Sequence, residues 1–223
     1  MKPLIIAIDG PSGAGKGTIA RTIAGDLGYR HVDSGAMYRA IGWKALQHHL
    51  SFDNEPAIER MARTSDVQLA NDRVTIDGME ITRAIRTPEI DRAAAGVARL
   101  PTVRAVLVEQ QRRLGADGGV VMEGRDIGTV VFPQADVKVY LDASPDERAR
   151  RRAADPAHSA GAAPVSEVVT ALTARDELDR TRAASPLYAA ADAVVIDTTG
   201  KSITEVVEEV MNVIELKSKG KSF

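Results

Sequence analysis

The chain has no cysteine, which excludes disulfides and thiolate metal sites and fits a reducing compartment. Nor does charge of one sign dominate: 29 basic residues stand against 31 acidic ones, for a formal net charge of −2. Nothing global therefore points to nucleic acid or a membrane surface as a partner, and any anion binding must come from local clusters. No apolar run approaches the roughly 20 residues that cross a bilayer. The first apolar run starts at Leu4, leaving no room for a charged leader, an apolar segment and a cleavage site, so a cytoplasmic protein is expected. Internal repeats and long low-complexity tracts are missing, and His31, His48, His49 and His158 show no metal-ligand spacing. The 223 residues suffice for one sizeable α/β core with insertions, read as a single domain over 1–223.

What is present begins with Leu4-Ile5-Ile6-Ala7-Ile8, then Gly10-Pro11-Ser12-Gly13-Ala14-Gly15-Lys16-Gly17-Thr18, then Ile19, Ala20, Ile23 and Leu27. That order reads as strand, glycine loop, helix. Glycines let the backbone fold around a phosphate with its N–H groups inward, and the helix adds its positive end. Gly10 to Gly15 with Lys16 has the spacing of the P-loop, whose lysine reaches the β- and γ-phosphates of a nucleotide. The position after Lys16 departs from the general pattern. It is Gly17, without the hydroxyl that usually binds the metal, and Thr18 comes one place later. Mg²⁺ entering with ATP is then expected to be held mainly by phosphate oxygens and water, its protein ligands unassigned.

Four-residue spacing of Ile19, Ile23 and Leu27 predicts a helix ending at Gly28, followed by a strand over 29–32. Asp33 or Ser34 caps the next helix, which carries Tyr38 and Arg39. From about Ser51 to Thr87 a helix (55–62) and three short alternating pieces, 67–69, 74–76 and 79–81, predict an insertion with a small antiparallel sheet. Helices open at Thr87-Pro88 and Pro101, the latter carrying Arg104 and ending at Gly115. Strands follow at 119–122, 137–141 and 193–196, and Trp43 and Tyr140 read as core. Ser144 to Glu147, and Ser202 with Glu205, have the form of capping boxes. Asp155 to Pro164 reads as a mobile loop, and Lys217 to Phe223 as a frayed tail. Five near-continuously apolar strands alternating with helices argue for a parallel sheet covered on both faces, with ligands beyond the carboxyl ends of its strands.

Lys16, Arg39, Arg125 and Asp126 all follow a strand or open the next helix, so they should converge there. Arg175, Asp179 and Arg182, at i, i+4 and i+7, share one helix face, and Arg148, Arg150, Arg151 and Arg152 crowd another helix. Fixed, planar guanidinium groups suit an in-flight phosphoryl group better than lysines, and an acceptor that is itself a phosphate explains their excess. Plainer readings exist. Arg148 to Arg152 could be a solvated helix face, Arg175 and Asp179 a surface ion pair, and Asp126 a brace for a turn.

Gly10–Thr18, Asp33 to Arg39, Ile85-Arg86-Thr87, Gly124-Arg125-Asp126-Ile127-Gly128-Thr129-Val130-Val131-Phe132-Pro133 and Arg175…Asp179…Arg182 together resemble the bacterial cytidylate kinases, over nearly the whole chain. The Gly-Lys-Gly-Thr ending is common to nucleoside monophosphate kinases; the Gly-Arg-Asp-x-Gly-Thr run and the three-stranded insertion are what single out this family. The resemblance implies a P-loop NTPase-type sheet of order 2-3-1-4-5, a monophosphate-binding insertion at about 36–104 and a lid at about 148–166. It implies phosphoryl transfer from ATP, with Mg²⁺, to CMP or dCMP, by a monomer with no nucleic-acid or membrane partner. Carried over by position, Ser34, Arg104 and Asp126 contact cytosine. Arg39, Arg125 and Arg182 hold the acceptor phosphate, and Tyr38, Arg175 and Asp179 lie at the ribose. Gly10 to Thr18 with Arg151 and Arg152 bind ATP, Lys16, Arg39, Arg125 and Arg182 act in catalysis, and Glu123 stands where a partner for metal-bound water would. Two other readings compete. One is a different P-loop small-molecule kinase, for UMP, AMP or a sugar acid. The other is a nucleotide-dependent switch or binding module, disfavoured because no Asn-Lys-x-Asp motif, no hydroxyl directly after Lys16 and no large apolar surface segment is found.

Overall fold

The computed structural model describes residues 3–70, 73–155 and 165–219. Most of the expected mobile loop, 156–164, and the end of the expected tail, 220–223, lie outside the described residues. The central sheet contains β1 (Ile5–Asp9), β2 (Arg30–Asp33), β6 (Val120–Gly124), β7 (Val137–Asp142) and β8 (Val194–Asp197). All neighbours are parallel and lie in the order β2-β6-β1-β7-β8. Numbered among themselves these strands run 2-3-1-4-5, as the resemblance implied. The register pairs Asp9 with Gly124, Asp33 with Glu123 and Asp142 with Asp197, so the carboxyl ends open along one edge.

Both faces are covered because β1 alternates its apolar side chains. Ile6 and Ile8 pack with Ile19 and Ile23 of α1 (Lys16–Leu27) and Val206, Val210 and Ile214 of α8 (Ile203–Lys219). Ala7 turns to the opposite face, where it joins Val32, Met122, Val108 of α5 (Pro101–Leu114) and Ile127. Burying each such branched side chain stabilises the fold by about 1.5–3 kcal/mol. A third cluster runs from Ala36 to Leu107. It joins α2 (Ser34–Gln47), α3 (Glu55–Thr64), α4 (Pro88–Ala98) and α5 to the antiparallel sheet of β3 (Val67–Ala70), β4 (Arg73–Ile76) and β5 (Met79–Glu80). Tyr140 is buried in the sheet, whereas Trp43 is only partly buried against this third cluster. The remaining helices are α6 (Pro145–Ala154) and α7 (Val165–Thr181).

Several local expectations need correction. Ser144 accepts from Glu147 N at 3.3 Å, but the reciprocal half of that capping box is missing. The Glu147 carboxylate binds Arg150 and Arg151 instead, and Ser144 N donates to Thr199 Oγ1 at 2.9 Å. By contrast Ser202 and Glu205 form the complete box. Lys217 and Ser218, expected to fray, continue α8, where Ser218 Oγ donates to the Ile214 carbonyl at 2.6 Å. After β6 the chain makes one π-helical turn, Ile127–Val131. The Val130 and Val131 carbonyls at its end accept from Arg112 at 2.7 and 2.9 Å.

Candidate active site

The strand ends and the helices after them enclose a cleft of about 1090 Å³, lined by the glycine loop at one end and by arginines of α2, α5, α6 and α7, with Arg125 directly after β6, elsewhere. At the loop end, a Cβ on Gly10 would stand 2.0 Å from the Leu141 carbonyl oxygen, closer than any side chain allows. Gly13 and Gly15 have φ of 81° and 89°, in the left-handed region. Gly15 is the N-cap of α1 and offers no side-chain cap, so the first N–H groups of α1 are left for an anion. Lys16 is 6 % exposed, and its ammonium donates to the Pro11 carbonyl at 2.7 Å, bridging the loop. Burial, helped by the Arg125 charge, pulls its pKa down to about 7.

Gly17 has a spatial reason. Its missing Cβ would lie 3.1 Å from Glu123 Oε1, so the carboxylate at the end of β6 occupies room that a side chain would contest. Glu123 also meets His31 Nε2 at 3.1 Å. Among the described residues no group of three or more His, Cys, Asp or Glu could hold a metal. The donor set present here, Glu123 with Asp33 beside it in register, fits a largely hydrated Mg²⁺ carried on phosphate oxygens rather than a protein-caged ion.

The crowded arginines of α6 divide. Arg150 is exposed on the surface, held by Glu147. Arg151 lies beside the glycine loop, donating to Thr198 O at 2.6 Å and Thr198 Oγ1 at 2.8 Å, while Thr198 Oγ1 contacts the Ala14 carbonyl. Arg148 is buried and donates to Ser12 O at 3.1 Å, Ala143 O at 3.0 Å and Asp176. It braces the loop from behind. Arg152 turns the other way, to Asp91 of α4.

In the other half of the cleft Arg39, Arg104, Arg125, Arg175 and Arg182 each stand beside a carboxylate. Arg104, 3 % exposed, pairs with Asp126, 4 % exposed, donates to Ala98 O at 3.3 Å and lies 5.3 Å from the centre of the Tyr38 ring. Arg125 and Arg182 share Asp179, at 3.1 and 3.2 Å. Arg39 binds Asp91 at 3.1 Å and stands 4.0 Å from Asp33, which Arg86 approaches at 3.6 Å. The Arg175–Asp179 surface pair considered from spacing is not formed; Arg175 is partly buried, 3.5 Å from Asp91. Ser34 donates to the Glu123 carbonyl at 2.7 Å and lines the same cleft. The charges remain crowded. Burial, with Arg125 and Arg39 adding to it, draws Arg175 down to about 10, and the buried donors Arg104 Nε and Arg182 Nη2 have no hydrogen-bond partner among the described residues. An anion entering here would relieve both conditions.

Sequence reasoning passed over the residues that organise this half. Asp9, at the end of β1, accepts from Ile127 N at 2.8 Å and Gly128 N at 2.7 Å and so fixes the turn that carries Asp126. Its burial pushes its pKa up to about 6. Asp91, Asp176 and Thr198 were passed over likewise, and Arg148, noted only as one of the crowded arginines, is a brace of the glycine loop rather than a solvated helix face. Only Asp9 had a usable signal, its place directly before the glycine loop.

A parallel sheet of this order, a P-loop whose lysine faces an arginine-lined acceptor pocket, and an inserted subdomain define a small-molecule kinase of the P-loop class. A family model described as cytidylate kinase matches residues 6–216. The cytidylate kinase of Desulfitobacterium hafniense is 48% identical over 219 residues, covering 97% of this chain and 94% of that one. That of Pelotomaculum thermopropionicum is 46% identical over 211 residues, covering 92% and 93%. Among solved structures, shikimate kinase from Bacteroides thetaiotaomicron superposes with a TM-score of 0.54 at 14% identity, covering 95% of this chain and 98% of that chain, a likeness of fold alone. The chain belongs to the cytidylate kinase family.

Proposed function

We infer that this chain transfers the γ-phosphoryl group of ATP to CMP or dCMP, giving ADP and CDP or dCDP. The observation that carries this reading is the buried Arg104–Asp126 pair in a cleft whose other end is the P-loop. Cytosine presents an amino donor at N4 and acceptors at N3 and O2; a carboxylate and a guanidinium match that edge in kind. In this reading Ser34, Arg104 and Asp126 hold the base. Tyr38, Arg175 and Asp179 hold the ribose, and Arg39, Arg125 and Arg182 hold the acceptor phosphate. Gly10 to Thr18, Arg151 and Arg152 serve ATP. Residues 36–104 form the acceptor-binding region and 148–166 the lid.

The acceptor's phosphate oxygen attacks the γ-phosphorus in line with the departing ADP, forming one P–O bond as the other breaks. Lys16, Arg39, Arg125 and Arg182 stabilise the charge spread over the transferring group, and the acceptor, already an anion, needs no general base. Mg²⁺, with phosphate oxygens and water as its main ligands and Glu123 near its water shell, would neutralise charge on the β- and γ-phosphates. In this reading the enzyme acts as a monomer. No described helix is long and apolar enough to cross a membrane, and the absence of cysteine fits a cytoplasmic enzyme of nucleotide metabolism. A panel of CMP, dCMP, UMP, AMP and sugar acids, each with ATP·Mg²⁺ and read as ADP formed, tests the reading. CMP and dCMP should lead; equal or better turnover of UMP or AMP contradicts it.

A further inference from the structure

Asp91 lies in the first turn of α4, inside the inserted region, and one carboxylate there gathers arginines from three elements. Oδ1 accepts from Arg39 Nε of α2 at 3.1 Å and stands 3.5 Å from Arg175 Nη1 of α7, while Oδ2 accepts from Arg152 of α6. Among the described residues no other carboxylate draws arginines from three separate helices. Two acceptor oxygens surrounded by three guanidinium groups is the arrangement a phosphate oxyanion would take. Burial disfavours the ionised form, yet the three arginines outweigh it and hold Asp91 at about 2, so it is a carboxylate throughout the working range.

Its partners come from both halves of the proposed reaction. Arg39 and Arg175 belong to the acceptor side, whereas Arg152 is assigned to ATP yet is held away from it. We propose that Asp91 is an internal stand-in for the acceptor's phosphate, a positioning residue that keeps Arg152 off the triphosphate until a monophosphate displaces it. This rests on the kinase reading above.

The tether explains how a monoanion competes with a better ligand. A carboxylate on the same chain acts at the high local concentration of an intramolecular partner, whereas free CMP is dilute. A phosphate dianion offers three oxygens and more charge, so it wins at working concentrations, though with a weaker apparent affinity than an empty arginine cluster would give. When it does, α4 releases Arg152. Without an acceptor the release does not occur, and water attacking the γ-phosphorus to give ADP and phosphate finds the site one cation short.

The test compares wild type, Asp91→Asn, Asp91→Ala and the double variant Asp91→Asn/Arg152→Ala. Circular dichroism and thermal unfolding establish that each is folded. CMP binding without ATP is read by calorimetry, CMP turnover as KM and kcat, and ATP hydrolysis without acceptor as phosphate released. Asp91→Asn should bind CMP at least about threefold more tightly, lower the KM for CMP rather than raise kcat, and hydrolyse ATP alone at least about threefold faster. Asp91→Ala should move in the same direction, and the double variant, lacking the cation that Asp91→Asn releases, should hydrolyse ATP more slowly than Asp91→Asn. Weaker CMP binding in both single variants, or hydrolysis unchanged in both, overturns the stand-in while leaving the kinase reading intact. A wild-type protein inert towards CMP overturns both.

Discussion

In the proposed reaction the two ends of the cleft meet the same demand, holding phosphate oxygens, by opposite means. The donor end has nine consecutive residues, backbone N–H groups and one lysine whose ammonium donates to a loop carbonyl. The acceptor end has guanidinium groups from α2, α5, α6 and α7 and from Arg125 directly after β6, each tied to Asp33, Asp91, Asp126 or Asp179. Peptide dipoles are fixed by the loop's own conformation and need no counter-charge to fold. Clustered guanidinium groups repel one another, and the fold has to supply carboxylates to hold them while no phosphate is bound. One end is therefore ready to accept charge, and the other must exchange an internal anion for an external one.

Breaking the donor end should have the largest effect, because Arg151 and Arg152, held by Thr198 and Asp91, cannot take the place of Lys16 within the loop. Lys16→Ala is expected to lower kcat/KM at least about a hundredfold with the fold intact by circular dichroism. Retention of more than about a tenth of the wild-type value, a loss under about 1.4 kcal/mol, would show that Lys16 lacks the assigned role. The acceptor end shares its charge, so a single loss should cost less. Arg125→Ala leaves Arg182 on Asp179 and should reduce kcat/KM for CMP about tenfold to a hundredfold, raising KM and lowering kcat together because Arg125 holds the acceptor phosphate and steadies the transferring group. Steady-state kinetics at saturating ATP check this, and an unchanged KM would remove Arg125 from the acceptor phosphate.

A smaller effect separates the ends by pH. Lys16 in the ligand-free protein has its pKa lowered to about 7, whereas Asp91 at about 2 and Arg175 at about 10 are far from neutrality. As pH rises from 7 to 8 the free enzyme loses the Lys16 proton, which a bound triphosphate restores. ATP binding should therefore take up a proton and weaken several-fold over that interval, while CMP binding follows only the nucleotide's own titration. Calorimetry in two buffers of different ionisation enthalpy measures the uptake; none for ATP would mean that Lys16 is fully charged before ligand arrives.

The same contrast decides how much was legible in the sequence. The donor end could be read outright, because strand, glycines, lysine and amphipathic helix lie in one contiguous stretch and spacing alone carries the geometry. The parallel sheet was legible for a similar reason, β1, β6, β7 and β8 being largely apolar runs although β2, Arg30–Asp33, has Val32 alone, and its order came from the resemblance to a family. Pairings at the acceptor end were not legible. Arg125 and Asp179 are 54 positions apart, Arg39 and Asp91 are 52, and Arg152 and Asp91 are 61. Helical spacing offered Arg175 and Asp179 as partners, yet the fold sets Arg175 beside Asp91 of α4 and leaves Asp179 to Arg125 and Arg182. Glu147 was likewise claimed by Arg150 and Arg151 rather than by the cap that local spacing suggested. Local sequence rules foresee partners within a turn of helix; they are silent where two distant charges compete for one carboxylate.

That the acceptor end selects cytosine is the central claim, and the Asp126–Arg104 pair is its smallest test. Uracil presents an O4 acceptor to the carboxylate and an N3–H donor to the guanidinium, two mismatched buried contacts at roughly 1–3 kcal/mol each, or a discrimination on the order of a hundredfold or more. Asp126→Asn keeps the shape and lets the amide present a donor to O4. The measurement is the ratio of kcat/KM for CMP to that for UMP in wild type and Asp126→Asn under one set of conditions. The account predicts weaker use of CMP and a ratio reduced at least about tenfold, or about 1.4 kcal/mol. An equal loss on both nucleotides, with the ratio unchanged, would contradict it and leave Asp126 as a brace for Arg104 alone.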